Sequence, residues 1–447
     1  MPDEERLPPG PPLPRFVQAY LWAHRYREFV GAAHRRYGPT FRARIGGLPV
    51  SVVTTDRDAV RRLLTGDPAM KRHANDLLRE GLGERSLMLL EPGEHLSRRR
   101  LLSPPFHGDR VRAYARTLEG LVERELDTWQ PGSVATVLPV AQRLTLEVIL
   151  EAVLGVADDH LRDRLRVIFD AILALPAQAI AMYYPAIQRR SRLNQLAEIY
   201  WRKRDVLDAL LDEQIAATRA DPRLAERKDI LALMVTARAE DGTALTDTDL
   251  RHDLNTLIAA GHETTATAMA WGAELLAHNP GVQARARAAV EQSDGAYLDA
   301  LVREILRIRS PVSVSAARHP LAPFPIGPYL VGSEHVVIVD AWGIHLDPAV
   351  HTDPDRFNPD RFLEPVPEYS FLPFGGGAHR CLGAALAMLE LKVALGALLR
   401  RFELRPATPE LPSPVRRGIL LAPQGGGRIR LARVPAPTAR SAAPVPA

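Results

Sequence analysis

Phe374-Gly375-Gly376-Gly377-Ala378-His379-Arg380-Cys381-Leu382-Gly383 is the most informative stretch of this 447-residue chain. It contains the only cysteine and carries that thiol, through a glycine-dense loop, to the start of a strongly helical segment, Leu382 to Arg401. The free N–H groups of a helix N-terminus can donate to sulfur, which favours the thiolate and tunes any metal it binds. Glycine lets backbone pass close to a flat ligand. A lone cysteine more often behaves as a small hydrophobe. The loop by itself therefore leaves two readings, an inert core thiol and a metal ligand.

Working outward, a helix expected near Leu298 to Arg309 is ended by Pro311, and strand-like pieces follow at Val312 to Ala316 and Val336 to Val339. A proline-punctuated stretch without regular structure then runs from Asp347 to Phe374, and loops of that length are usually functional. Farther back, Thr246 to His278 opens with a capping box (Thr246 with Asp249) and stops at Asn279-Pro280. Uninterrupted, that helix would be about 50 Å long, enough to cross a domain. Its apolar run from Leu254 to Ala260 implies burial, yet His262, Glu263, Thr264 and Thr265 sit mid-length and need a reason to be there. Helical spacing dominates Arg57 to Pro280, for example Leu118 to Trp129 and Trp201 to Arg219. Phe41 to Thr55 reads as a β-hairpin around a Gly-Gly turn. The organisation expected is a proline-rich arm (1–14), a single unit (15–433) and a disordered Pro/Ala/Ser tail (434–447).

Charge is nearly balanced, 57 basic against 53 acidic residues for a net +4, so nucleic-acid binding gains no support. One cysteine excludes an internal disulfide and a multi-thiolate zinc site, and fits a reducing compartment. The N-terminus is charged (Asp3, Glu4, Glu5, Arg6) and then proline-rich, unlike a signal peptide. Even the apolar stretch from Ala171 to Ala186 is broken by Pro176, Gln178 and Pro185, short of a membrane span. A cytoplasmic protein without a membrane anchor is expected.

Two further constellations accompany the cysteine loop. Ala260-Gly261-His262-Glu263-Thr264-Thr265 lies inside the long helix. The zinc pattern H-E-x-x-H fails there, because Ala266 stands where the second histidine would be. Taken alone, its threonines could simply bond back to the preceding turn. Glu304 and Arg307, with a later Arg361 in Pro359-Asp360-Arg361-Phe362, would alone be an i,i+3 pair worth a few tenths of a kcal/mol, at about the level of any helix-surface ion pair. Taken together the three motifs resemble the cytochrome P-450 superfamily. Phe374, Gly377, His379 and Gly383 stand at the spacing of its haem-binding loop around Cys381. The hexapeptide resembles its oxygen-activation segment, and Glu304, Arg307 and Arg361 resemble its buried Glu-Arg-Arg network. The resemblance runs in family order from the hairpin at Phe41 to the last helix. Pro104-Pro105-Phe106-His107-Gly108 looks like bacterial members that hydroxylate fatty acids and other lipids.

The resemblance implies a mainly α fold, a helical bundle with a smaller β-rich region, holding haem b (iron protoporphyrin IX) between the long central helix and the cysteine helix. It implies Cys381 as the axial iron ligand, with His379, Phe374, Gly375, Gly383 and Ala260 around the cofactor. His95 and Arg99, one helical turn apart, and Arg318 would serve the propionates; many members carry tryptophan where His95 stands. Thr264 and Glu263 would deliver protons to reduced oxygen, aided by a local distortion of the helix. The Glu304 network would lock the region carrying the thiol.

The implied reaction is O2-dependent insertion of one oxygen atom into a hydrophobic small molecule of the fatty-acid, terpenoid, steroid or polyketide class. Electrons would come from separate proteins, a ferredoxin and its reductase, docking on a basic face that includes Arg100, Arg110, Arg112, Arg380 and Lys392. Pocket candidates by family topology are Ser86 to Leu90, Leu173 to Tyr184, Ile258, Ala259, Val312 to Ser315 and Ile419 to Leu421. The alternatives are a haem-thiolate peroxygenase or isomerase, which would not need the Glu263–Thr264 pair, and a non-catalytic haem-based ligand sensor.

Overall fold

A computed structural model describes residues 6–45, 48–66, 72–73, 78–173 and 195–434. Its axis is the helix Asp247–His278, 32 residues long, here called the central helix. Thr246 Oγ1 accepts from the Asp249 N–H at 3.1 Å and the Asp249 carboxylate accepts from the Thr246 N–H at 3.2 Å, closing the expected capping box. The other end stops at Asn279, because Pro280 begins a new helix, Pro280–Glu291. Every residue from Thr265 to Ala277 is buried, as a helix apolar on all faces must be. Around that half pack the helices Val137–Val148, Gly295–Ile308 and Ala384–Arg401; the last is called the cysteine-side helix below. Leu250, Leu254 and Ile258 of the other half enter a second apolar cluster with Ile149, Leu207 and Leu211.

The β-rich part contains β1 (Thr40–Arg44), β2 (Val50–Thr54), β3 (Arg72–His73), β4 (Val134–Thr136), β5 (Val314–His319), β6 (Phe324–Ile326), β7 (Tyr329–Val331), β8 (Val336–Asp340), β9 (Phe402–Pro406), β10 (Pro414–Arg417), β11 (Leu420–Pro423) and β12 (Arg428–Arg433). One sheet has the order β1-β2-β8-β5-β3. The expected hairpin is β1–β2, with Thr40 opposite Thr54 and Arg44 opposite Val50. β2 continues parallel to β8, whose five residues are all buried, and β8 runs antiparallel to β5 with Arg318 opposite Val337.

Differences from expectation lie mainly in the β-structure. β9, β12 and β4 form a three-stranded sheet and β10–β11 a hairpin, none of which was foreseen. Val134–Thr136 is three residues inside helical text, and such short strands carry no period-2 signal; their partners lie far away in sequence. The arm, where described, is docked: Arg6 and Leu330 exchange both backbone hydrogen bonds, and the Arg42 N–H donates to Pro9 O at 2.9 Å. The expected tail beyond residue 434 lies outside the described residues.

Candidate functional site

The cysteine loop begins where the Phe374 carbonyl accepts from the Cys381 N–H at 2.8 Å, closing a short circuit that contains the three glycines. Gly375 and Gly377 have φ of +65° and +62°, in the region that disfavours side chains. A Cβ on Gly377 would lie 1.6 Å from the Leu64 carbonyl oxygen, at the end of the helix Arg57–Thr65. This glycine is thus required to seat the loop on protein backbone, not on a flat ligand as expected. The cysteine-side helix starts at Ala384 with Gly383 as its N-cap, two residues later than expected. Burial pushes the Cys381 thiol up. The Gly383 N–H, Arg99 and Arg380 pull it down, as the helix-terminus argument requires, but enclosure in protein outweighs them.

Two helices frame an open slot at this thiol. Gly272 of the central helix lies against Leu395 of the cysteine-side helix, where an added Cβ would come within 2.9 Å of Leu Cδ1. Farther back Thr265 lies beside Glu390. Continuing the same way, contact ceases: Ala259 and Ala260 are exposed although most of the helix around them is buried, and Cys381, though set deep in surrounding protein that raises its pKa, likewise keeps open surface. Small side chains of the central helix and the single thiol before the cysteine-side helix are thus both left open beyond the last contact between the two helices.

Imidazole and guanidinium groups gather at one edge. His95 and His379 have ring centroids 3.9 Å apart. Burial and the nearby charges of Arg99 and Arg318 push His95 down to about 4. Arg318, carried by β5, is buried, and burial alone pulls its guanidinium down to about 10. Arg99 lies close enough to Cys381 and Arg380 to feel their charges. Among the described residues neither Arg99 nor Arg318 has an acidic partner. The Ser315 hydroxyl oxygen, beside the loop at Gly375, is buried without a hydrogen-bond partner. A buried cation without an anion is costly, so this cluster fits a ligand that brings carboxylates of its own. Haem b has two such groups, and the slot offers one thiol for its iron.

The mid-helix motif is arranged differently from the simplest expectation. Thr264 Oγ1 donates to the Ala260 carbonyl at 2.5 Å. Glu263 accepts from Gln142 Nε2 at 2.6 Å and does not touch Thr264. Thr145 of the same neighbouring helix donates to the His262 carbonyl at 3.2 Å. The α-helix runs through residues 261–265 without interruption, so the expected distortion is replaced by these bonds from the side.

Glu304, Arg307 and Arg361 meet as expected. Arg307 Nε is 2.7 Å from Glu304 with both side chains 0% exposed, and Arg361 Nε is 3.1 Å away. The Asn358 N–H also donates to Glu304 at 2.8 Å and Arg307 Nη1 to the His345 carbonyl at 2.7 Å. The network ties the helix Gly295–Ile308 to the long irregular stretch before the cysteine loop. Of the proposed docking cations, Arg380 is exposed, Arg100 faces Glu240 at 3.6 Å and Lys392 pairs with Asp299 at 2.7 Å. The side chains of Arg110 and Arg112, and the pocket candidates between 174 and 184, lie outside the described residues.

Glu390 was missed. It is buried on the cysteine-side helix, and burial pushes its carboxyl up to about 8 against the pull of the Thr265 hydroxyl. The signal was present: Glu390 is the only acid in the apolar text from Ala384 to Leu399.

Residues 8–429 match the family model described as Cytochrome P450. The chain is 37% identical over 436 residues to "Putative cytochrome P450 135B1" of Mycobacterium tuberculosis, covering 95% of this chain and 91% of that one. It is 34% identical over 431 residues to "Putative cytochrome P450 138" of the same species, covering 96% and 97%. Among solved structures, retinoic acid bound cyanobacterial CYP120A1 superposes with a TM-score of 0.83 at 23% identity, over 96% of this chain and 100% of that one. A cytochrome P450DA heme domain gives 0.82 at 22%, over 96% and 98%.

Proposed function

The chain belongs to the cytochrome P450 family, and on that premise we propose how its own residues hold the cofactor and serve the reaction. It is a haem-dependent monooxygenase, an oxidoreductase that uses O2 and electrons from partner proteins. When bound, haem b supplies the reduction of O2 by two electrons and two protons, one oxygen atom entering the substrate and the other leaving as water.

Cys381 holds the iron as its thiolate. His95, Arg99, Arg318 and His379 hold the propionates, and the observation that carries this assignment is that neither Arg99 nor Arg318 has an acidic partner among the described residues. Phe374, Gly375 and Gly383 shape the loop under the cofactor. Ala260 keeps the opposite wall thin. Thr264 faces the slot with a hydroxyl that can pass a proton, refilled from Glu263 when that carboxyl turns away from Gln142. The substrate is a hydrophobic small molecule of the fatty-acid, terpenoid, steroid or polyketide class, oxidised by hydroxylation or a related insertion. The support is the apolar character of Leu87 to Leu90, Ile258, Ala259 and Ile419 to Leu421, with Val312 bridged to Leu420. A ferredoxin and its reductase supply the electrons, meeting the face at Arg380. Among the described residues no helix is long and apolar enough to cross a membrane.

The test is spectroscopic. The purified protein, reduced and exposed to carbon monoxide, should show a strongly red-shifted Soret band that Cys381→Ser abolishes. With a generic ferredoxin and reductase, substrate should drive NADPH consumption, and Thr264→Ala should divert those electrons to peroxide. Unchanged coupling in Thr264→Ala would remove the proton-delivery role, and a normal band in Cys381→Ser would remove the ligand assignment.

A further inference from the structure

The central helix has a second polar stripe that the oxygen chemistry does not use. Asp249, Asp253 and Thr256 recur at helical spacing on the face that leads to Ala260, and all three grip neighbouring chain. Asp253 divides its carboxylate between two elements. One oxygen accepts from the Leu87 N–H at 2.8 Å. The other is 2.8 Å from Arg98 Nη1, with Arg98 and Asp253 5% and 1% exposed. Arg98 also reaches Asp249 at 2.7 Å. Beside this pair Ser86 and Thr256 share a buried hydroxyl–hydroxyl bond of 2.7 Å, and the Arg85 N–H donates to His252 Nδ1 at 3.1 Å.

The two elements so joined do different things. Ser86 bonds the central helix at Thr256, one turn before the exposed Ala260, so the segment 85–90 meets that helix next to the slot wall. Arg98 belongs to the helix Pro92–Leu102, which carries His95 and Arg99. Arg98 points to the central helix while Arg99, next to it, lies near Cys381. We infer that Asp253 is a positioning residue for the monooxygenase reaction, clasping the pocket wall at Arg85–Leu90 to the helix that carries His95 and Arg99. The fit of a bulky ligand on the Ala260 side then depends on that clasp.

Protonation should tighten it, because a carboxyl whose pKa is raised by enclosure holds its proton more firmly while the clasp is closed than when it opens to water. Burial pushes Asp253 up to about 6 despite the opposing pull of Arg98 and the Leu87 N–H. The charged and titratable groups around it are Arg98 from the cationic helix, Asp249 and His252 from its own helix, and Arg85, which is held by Asp249 and Glu94. Arg204 and Asp208 of the helix Gln195–Ala220 act on His252 instead. Asp249 stays ionised throughout: burial raises it, but hydrogen bonds from Thr246, Arg98 and Arg85 hold it down at about 2.

The inference rests on haem occupying the slot, and the carbon monoxide band of each sample reads that separately. The probe is cyclohexyl isocyanide, a neutral ligand of ferrous haem bulky enough to meet the wall, titrated by absorbance between about pH 5 and pH 8. In the wild-type holoprotein its Kd should fall about tenfold on acidification, with a midpoint near 6 following the shifted carboxyl. Asp253→Asn should show the tight, low-pH Kd at every pH, and Asp253→Glu should restore a pH-dependent profile. At pH 8 hydrogen exchange of residues 83–90 should slow about tenfold in Asp253→Asn while residues 265–277 stay protected. Carbon monoxide, too small to meet the wall, should bind both proteins alike. A flat wild-type profile overturns the inference, as does Asp253→Asn with wild-type Kd and exchange at pH 8, or a parallel change in carbon monoxide affinity. If Asp253→Asn takes up no haem, the wild-type profile alone decides.

Discussion

Substituting Glu390→Gln should make the protein more resistant to alkaline pH. The carboxyl is buried on the cysteine-side helix with the Thr265 hydroxyl beside it, and burial raises it from an ordinary 4.5 to about 8. A carboxyl with a raised folded-state pKa binds its proton more tightly when folded. Its contribution to stability is therefore complete below about 4.5 and is lost as pH rises toward 8. At about 1.4 kcal/mol per pH unit, wild type should lose about 2–3 kcal/mol relative to Glu390→Gln between pH 5.5 and pH 7.5. Glutamine keeps the shape and a hydrogen bond to Thr265 but has no proton to lose. Buried histidines act in the opposite sense. Burial holds His345 near 3 and His95 near 4, so their contribution is present above about 6.5 and is lost as pH falls. Both proteins share those histidines, so the difference between them isolates Glu390. The assay is urea unfolding of each holoprotein, followed by far-UV circular dichroism at half-unit steps of pH. Parallel stability curves, or a wild type that gains on its variant as pH rises, would refute the reasoning.

Arg361→Ala should cost about 3–5 kcal/mol, because it leaves the fully buried Glu304 with one guanidinium instead of two; a lowered urea midpoint with loss of bound haem is the expected readout. Arg318→Met should raise the stability of haem-free protein by about 2–3 kcal/mol, since a buried cation without an acidic partner is removed, yet weaken haem retention when apomyoglobin competes for the cofactor; the two measurements should move in opposite directions. Gly377→Ala should prevent the cysteine loop from seating, because φ is +62° and the new methyl would overlap the Leu64 carbonyl. Gly383→Ala, at φ −84° with open space around its Cβ position, should leave the folded-state stability within about 0.5 kcal/mol, as for an ordinary surface change; thermal scans of both apoproteins compare them.

The long helix, the β1–β2 hairpin and the cysteine loop were legible in the sequence because each depends on local rules. A capping box, an Asn-Pro stop, a Gly-Gly turn and the spacing around Cys381 all act within about ten residues. The Glu304–Arg307–Arg361 network was legible only through family resemblance, since 54 positions separate its last two members and no local rule joins them. Whether Glu263 faces Thr264 or Gln142, and whether Asp253 and Arg98 meet, could not be read at all. Those outcomes depend on which helices become neighbours.

Sequence alone thus determined that a single thiol stands at a glycine-rich turn before a helix, that a polar motif interrupts an apolar helix, and that the fold is mainly α. Tertiary structure decided what surrounds them: Arg99 lies close to Cys381 and Arg318 close to His95, neither with an acidic partner among the described residues, and Glu390 is enclosed beside Thr265. It also decided the balance on the thiol, where enclosure outweighs the helix terminus. Capping and turn preferences come from bonds between near neighbours along the chain, whereas desolvation and charge pairing depend on every atom within several ångströms, most of them contributed by distant segments.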